Sequence, residues 1–237
     1  MRAIGIIPAR YSSNRFPGKP LADILGKSMI QRVYEQCKKA DLISEIIVAT
    51  DDKRIFNHVT GFGGNAMMTK KDHISGTDRC NEVLEPLDSK YDVAINIQGD
   101  QPFINPQQID QVVSLFSLPE ITISTLAKKI ENLNVLTDIN SPKVIFNSNG
   151  IAKSFCRKIA KINPQKIYYK HIGIYGYRTE TLSEICKLPP SENEKTERLE
   201  QLRWLDNKYL IKVGVTSHES ISIDTQEDVE KIKAQMR

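Results

Sequence analysis

Along the chain, short apolar runs alternate with segments whose apolar residues recur at helical spacing. Residues 4–7 read as a first strand, and Met29, Ile30, Val33, Tyr34 and Cys37 then fall on one helix face. Residues 45–49 predict a second strand. Asp51 or Asp52 caps the helix after it, which carries Ile55, Phe56 and Val59 and is ended by Gly61, Gly63 and Gly64. Residues 66–68 predict a third strand, and Thr77 is the expected cap of a helix bearing Cys80, Val83 and Leu84. Residues 93–97 form a buried strand that delivers Gln98, Gly99 and Asp100 to its carboxyl end, where open α/β sheets bind ligands. Asn105-Pro106 opens another helix in cap-then-N1 order, with Ile109, Val112, Val113 and Phe116 facing inward. The alternation predicts an α/β fold: a mostly parallel sheet with helices on both faces.

Between residues 121 and 177 the pattern turns to strands. Val144-Ile145-Phe146 and Ile151-Ala152 flank the hairpin signal Asn149-Gly150, which predicts an inserted antiparallel segment at about 121–177. Helical stretches at 182–188 and 194–205, a strand at 210–215 and a helix from Gln226 complete a single domain, 1–237.

A chain of 237 residues buries a core without covalent staples. Cys37, Cys80, Cys156 and Cys186 lie far apart with apolar neighbours and no C-x-x-C pair, so each reads as a small core residue. The four histidines show no zinc-type spacing. A net charge of +4 suits a polyanionic small molecule, yet the basic residues are too dispersed for a nucleic-acid partner. No segment approaches the roughly 20 apolar residues of a membrane span, and the first apolar run stops at Pro8, so a cytoplasmic location is expected.

The candidate chemistry begins in the stretch from Ile6 to Pro20, which sets Arg10, Arg15 and Lys19 in a loop directly after an apolar strand, with Gly18 between Pro17 and Pro20. Arg forks onto phosphate and Lys acts as a point charge, so the loop is suited to a triphosphate. It matches neither a Walker loop nor a dinucleotide turn, and local pattern alone also allows a solvated basic turn. Asp100 lies at a strand end and Asp224 in an alternating stretch before the last helix, positions that suit hard oxygen ligands of Mg²⁺. A surface turn for Asp100 and a helix cap for Asp224 remain open on the residues alone.

The loop, together with Ile46-Ile47-Val48-Ala49-Thr50-Asp51, Ser75-Gly76-Thr77-Asp78-Arg79, Asn96-Ile97-Gln98-Gly99-Asp100, His171-Ile172-Gly173-Ile174-Tyr175, Leu199-Glu200-Gln201-Leu202-Arg203 and Ile223-Asp224-Thr225, resembles the CMP-Kdo synthetase (3-deoxy-manno-octulosonate cytidylyltransferase) family over nearly the whole chain. The resemblance implies a Rossmann-like nucleotide-diphospho-sugar transferase fold. It also implies transfer of CMP from CTP to the anomeric hydroxyl of an acidic octulosonate, with pyrophosphate released, for lipopolysaccharide biosynthesis. Arg10, Arg15 and Lys19 would grip the phosphates, with Arg10, Lys19 and Asp100 catalytic. Ser75, Gly76, Arg79 and Gln98 would line the nucleoside side, and Asp100 and Asp224 would bind Mg²⁺. For the sugar, Arg157 or His171 would pair with its carboxylate, while Glu200 and Gln201 would read its hydroxyls. Tyr175 is also expected at the sugar. It and Tyr177 alternate with Ile174 and Gly176, with one tyrosine expected on each side of the strand and at least one only packing. The inserted segment would help form a homodimer.

Two departures stand out. The family's Gly-Asp-Glu-Pro block reads Gly99-Asp100-Gln101-Pro102 here, and the segment after Arg157 (Lys158-Ile159-Ala160-Lys161-Ile162-Asn163-Pro164) is shortened. They raise the alternative substrate 8-amino-3,8-dideoxy-manno-octulosonate. Readings of other classes are a catalytically silent nucleotide-binding regulatory protein and, weakest, an RNA-binding module. A guanylyl- or uridylyltransferase on the same fold is a rival within the class.

Overall fold

The computed structural model describes residues 1–237 apart from 14, 88, 89, 160, 164, 236 and 237; Asn14 of the basic loop, and Ala160 and Pro164 quoted above, therefore lie outside the described residues. In chain order the elements are β1 (Ala3–Ala9), β2 (Asp23–Ile24), β3 (Lys27–Ser28), α1 (Met29–Cys37), β4 (Ile43–Thr50), α2 (Lys53–Gly61) and β5 (Ala66–Met68). There follow α3 (Gly76–Leu84), β6 (Val93–Asn96), α4 (Pro106–Ser114), β7 (Ile123–Lys129), β8 (Lys143–Phe146), β9 (Ala152–Cys156) and β10 (Tyr169–Arg178). The chain continues through α5 (Thr179–Ile185), α6 (Glu192–Glu197), α7 (Gln201–Asp206), β11 (Ile211–Thr216) and α8 (Gln226–Gln235).

The main sheet runs β11-β7-β10-β6-β1-β4-β5, with the β8–β9 hairpin branching from β10. β6, β1, β4 and β5 are parallel neighbours, as are β7 and β11, while β10 is antiparallel to both β6 and β7. The 121–177 segment thus supplies the antiparallel strands, but β7 and β10 are built into the main sheet and only β8–β9 stands off it. Pairing between distant strands decides this, and local alternation does not report it.

Strand alternation feeds two cores. On β1, Ala3, Ile7 and Ala9 enter one cluster with α1 and α4, while Ile4 and Ile6 enter the other with Cys80 of α3, Leu182 of α5 and Trp204 of α7. Both faces of the sheet are therefore covered, which is why the parallel strands read as continuous apolar runs. All five apolar positions expected on α1 are buried, and Ser28 caps it by accepting from the Gln31 N–H. Asp52 rather than Asp51 caps α2. Asn105 and Gln108 close a capping box on α4 around Pro106.

Two expected boundaries differ. The α3 cap is Ser75, in a capping box with Asp78, and Thr77 is a buried residue inside the helix. The expected 194–205 helix is broken into α6 and α7 by Arg198, which adopts φ 53°. Cys37 and Cys80 are buried, and Cys156 and Cys186 are partly so, with burial pushing the Cys186 thiol up to about 12. No helix among the described residues is long and apolar enough to cross a membrane.

Two glycines give opposite tests of this packing. A Cβ on Gly176 of β10 would lie 2.6 Å from Phe116 and 2.8 Å from Val112, whereas one on Gly61 at the end of α2 would meet nothing within 4 Å. Gly176→Ala is expected to destabilise the protein by about 1–3 kcal/mol through overpacking. Gly61→Ala should stabilise it by about 0.5 kcal/mol through reduced chain entropy. Denaturant melts followed by the fluorescence of Trp204, the sole tryptophan, check both.

Candidate active site

The carboxyl ends of β1 and β6 and the N-terminus of α3 meet at one place. Two glycines permit the approach: a Cβ on Gly99 would lie 2.9 Å from the Pro8 carbonyl oxygen, and one on Gly76 would lie 3.2 Å from the Pro8 ring. The loop after β1 then turns back, with Gly18 at φ 73° and its N–H donating to the Tyr11 carbonyl at 2.9 Å. That turn presents Lys19. Its Nζ donates to Asp100 Oδ2 at 2.8 Å and to Asp224 Oδ1 at 3.2 Å, and Arg15 reaches Asp224 Oδ1 at 3.1 Å.

The backbone locks the two carboxylates together, because the Ile223 N–H donates to the Asp100 carbonyl at 2.9 Å. Asp224 is not the cap of α8. Thr225 Oγ1 accepts from the Asp228 N–H at 3.3 Å, and Asp228 Oδ2 accepts from the Thr225 and Asp224 N–H groups at 3.0 Å, which frees the Asp224 side chain for the cluster. Asp100 Oδ2 and Asp224 Oδ1 thus converge on one cation-sized position. Among the described residues no third carboxylate, histidine or cysteine joins them. Two carboxylates with room for phosphate oxygens and water form a donor set that Mg²⁺ favours, so the residues fit that ion.

A cleft of about 290 Å³ opens over this cluster, and the seven residues expected at the nucleotide (Arg10, Arg15, Lys19, Ser75, Gly76, Arg79 and Gln98) all line it. Ser75 and Asp78 use each other's backbone N–H in the capping box, which leaves the N–H groups of Gly76 and Thr77 for an anion at the helix end. Arg79 is buried and partly committed: it donates to Thr69 Oγ1 and the Lys70 carbonyl and lies 3.3 Å from Asp51.

A second cleft, of about 600 Å³, shares Gln98, Asp100 and Asp224 with the first. Of the five residues expected at the sugar, only His171 and Gln201 line it, both buried. His171 Nε2 lies 3.0 Å from Thr125 Oγ1, with the rings of Phe155 and Tyr175 at 5.1 and 5.3 Å, and burial lowers its pKa to about 3. It is neutral near pH 7 and cannot be the cation for a carboxylate.

The other three lie elsewhere. The Arg157 guanidinium is spent on the carbonyls of Ile139, Glu197 and Arg198 at 2.8, 2.6 and 2.9 Å. Tyr175 and Tyr177 sit on the same side of β10, as residues two apart must, and stack at 6.0 Å with both rings edge-on to Trp204. Both are buried core. Glu200 accepts from Thr77 Oγ1 at 2.8 Å, and burial raises its pKa; it lines a separate cavity of about 300 Å³ that shares only Ile74 and Ser75 with the first cleft.

Further residues line the second cleft besides those expected at the sugar. Gln101 is buried there, its Nε2 3.5 Å from Ser222 Oγ and its Oε1 without a partner among the described residues. Lys170 and Glu219 also line it. Gln101 was visible as a departure from the family block, whereas nothing in local pattern marks Lys170 or Glu219.

A central β-sheet carrying its ligand cleft at the strands' carboxyl ends, with cations gathered on paired carboxylates, is the architecture of a nucleotidyltransferase. In fold it is shared by the solved 4-diphosphocytidyl-2C-methyl-D-erythritol synthase of Anaerococcus prevotii, at TM-score 0.67 and 14% identity over 99% of this chain and 98% of that one. The sequence model of the cytidylyltransferase family matches residues 4–221, and the chain belongs to that family. Within it, the chain is 51% identical to the 3-deoxy-manno-octulosonate cytidylyltransferase of Parabacteroides distasonis over 99% of this chain and 98% of the relative. It is 44% identical to the mitochondrial one of Arabidopsis thaliana, covering 100% of this chain and 83% of that protein. A solved CMP:2-keto-3-deoxy-manno-octonic acid synthetase complexed with CTP superposes at TM-score 0.94 with 38% identity, over 100% of this chain and 98% of that one.

The neutral His171 has a stability consequence. Its folded pKa of about 3 lies below the unfolded value of 6.5, so the unfolded chain takes up a proton first. Its contribution is intact above pH 6.5 and is lost as pH falls from there toward 3, amounting to about 2 kcal/mol at pH 5. His171→Gln should therefore flatten the loss of stability between pH 7.5 and 5, and the imidazole should show no NMR titration near pH 6. A His171 titrating at pH 6 would contradict the assignment.

Proposed function

We propose that the protein transfers CMP from CTP to the anomeric hydroxyl of 3-deoxy-manno-octulosonate and releases pyrophosphate. The observation that carries this reading is the pair of adjoining clefts that share Gln98, Asp100 and Asp224, one with the cationic loop and one large enough for a sugar acid. Its relatives are named for this sugar, which favours it over the 8-amino derivative, and the intact Lys19–Asp100–Asp224 cluster argues for a catalyst over a silent binder.

In this mechanism Arg10, Arg15 and Lys19, with the N-terminus of α3, hold the triphosphate and offset the charge that builds on it. Lys19 exchanges a carboxylate for phosphate oxygen when the nucleotide enters. The second cleft places the sugar so that its anomeric oxygen attacks the α-phosphorus in line with the departing pyrophosphate, and no enzyme-bound intermediate is needed. The sugar's carboxylate, one bond from the reacting carbon, falls at the shared end of the clefts, beside the basic loop. Asp100 and Asp224 would hold Mg²⁺, which supplies charge neutralisation on the phosphates and a lowered pKa for the hydroxyl. The same reading carries a homodimer built on the 121–177 segment, where Ile139, Ile145 and Ile167 are exposed, and a cytoplasmic site of action.

Pyrophosphate release with CTP, Mg²⁺ and the octulosonate tests the proposal, with UTP and ATP as poorer nucleotides. Asp100→Asn and Lys19→Met are each expected to lower kcat by about 10²–10³-fold while the protein remains folded. Unchanged turnover of Asp100→Asn at saturating Mg²⁺ would overturn the assignment, as would the absence of release by the wild-type protein.

A further inference from the structure

The second cleft ends in an ion-pair cluster that the mechanism above does not use. Lys170 Nζ donates to Glu219 Oε1 at 2.7 Å, and Lys128 Nζ donates to Glu219 Oε2 at 3.0 Å. Lys170 and Glu219 line the cleft, and Lys170 is the one cation to do so among the described residues. With two ammonium groups on one carboxylate, and one of Lys170's three N–H donors engaged, the pair keeps both donor and acceptor capacity toward the cavity.

Its place along the cleft follows from the backbone. Gly173 adjoins the reacting end, since a Cβ there would lie 3.9 Å from Gln98. Lys170 is three residues earlier on β10, about 10 Å away at the rise of a strand. Glu219 and Asp224 likewise lie on one non-helical segment between β11 and α8, five residues or at most about 17 Å apart. Two chain segments thus border the cleft from the reacting end to the cluster.

Resting on the octulosonate reading, we propose that Lys170 and Glu219 determine specificity by binding the terminal hydroxyl of the sugar's tail, Lys170 donating to it and Glu219 accepting from it. The reacting carbon and carboxylate occupy one end of the eight-carbon acid, so its tail projects to where these two segments place the ion pair. The competing explanation is that the pair only staples the segment leading to Asp224 onto the edge of β7 and β10.

A cycle of substrate and enzyme changes separates the two. Pyrophosphate release is measured at saturating CTP and Mg²⁺ for wild type, Lys170→Met and Glu219→Gln, each with the octulosonate and its 8-deoxy analogue. The wild type is expected to lose about tenfold in kcat/KM on the analogue, mainly through KM, the size of one hydrogen bond to a charged group. Lys170→Met should lose about tenfold on the octulosonate and nothing further on the analogue, and Glu219→Gln should behave alike with a smaller loss. Equal losses by the variants on both sugars would establish the staple and overturn the proposal, as would a wild type indifferent to the terminal hydroxyl. A wild type that releases pyrophosphate with neither sugar would overturn the functional reading beneath it.

Discussion

The ammonium of Lys19 between Asp100 and Asp224 is the interaction around which the molecule is organised. Two carboxylates brought together repel unless a cation lies between them, and three remote segments must be held still for that cation to serve both. The fold meets the requirement with backbone. Gly99 lets the turn after β6 close onto Pro8, the Ile223 N–H ties its strand-like segment to the Asp100 carbonyl, and Gly18 aims the lysine. In the proposed mechanism the cluster is poised rather than saturated, because a nucleotide would offer Lys19 phosphate oxygens in exchange for a carboxylate.

The sheet makes this rigidity possible. Its central parallel strands β1 and β6 are buried on both faces, so their ends are fixed by packing and not by the loops that leave them. The antiparallel β10 links the two parallel groups and carries along its length both a core function, with Tyr175 and Tyr177 against Trp204, and the wall of the second cleft at His171. One strand therefore couples the packing of the domain to the shape of the site.

Much of this was legible in the sequence where the information is local. The spacing of Met29, Ile30, Val33, Tyr34 and Cys37 marks α1 because a helix repeats its face every three to four residues, and Asn105-Pro106 marks the start of α4 because capping chemistry is short-ranged. That Arg10, Arg15, Lys19, Ser75, Gly76, Arg79 and Gln98 gather at one cleft was legible too, since they follow strands or sit at a helix start. The grouping expected for Arg157, Tyr175 and Glu200 was not. Arg157 and Glu200 look like free polar groups in sequence, yet carbonyls and a hydroxyl brought in by distant segments occupy them. Burial, and not neighbours in the chain, sets the neutrality of His171. The break at Arg198 is a left-handed conformation at a residue with no intrinsic preference for it, so only the tertiary contacts enforce it. The expectation for the two tyrosines failed on alternation itself: residues two apart on a strand share a face.

The position of Asp224 after the last strand of the sheet also orders events in time. A chain emerging from the ribosome can assemble every strand through β11 before this carboxylate becomes available, because domains fold as their residues are released. Up to that moment Lys19 lacks one of the two carboxylates it holds in the folded chain. The nascent protein thus acquires its sheet before its carboxylate pair, and a polypeptide stalled after β11 would carry the basic loop and Asp100 but lack Asp224, the second of the two groups proposed to hold the metal.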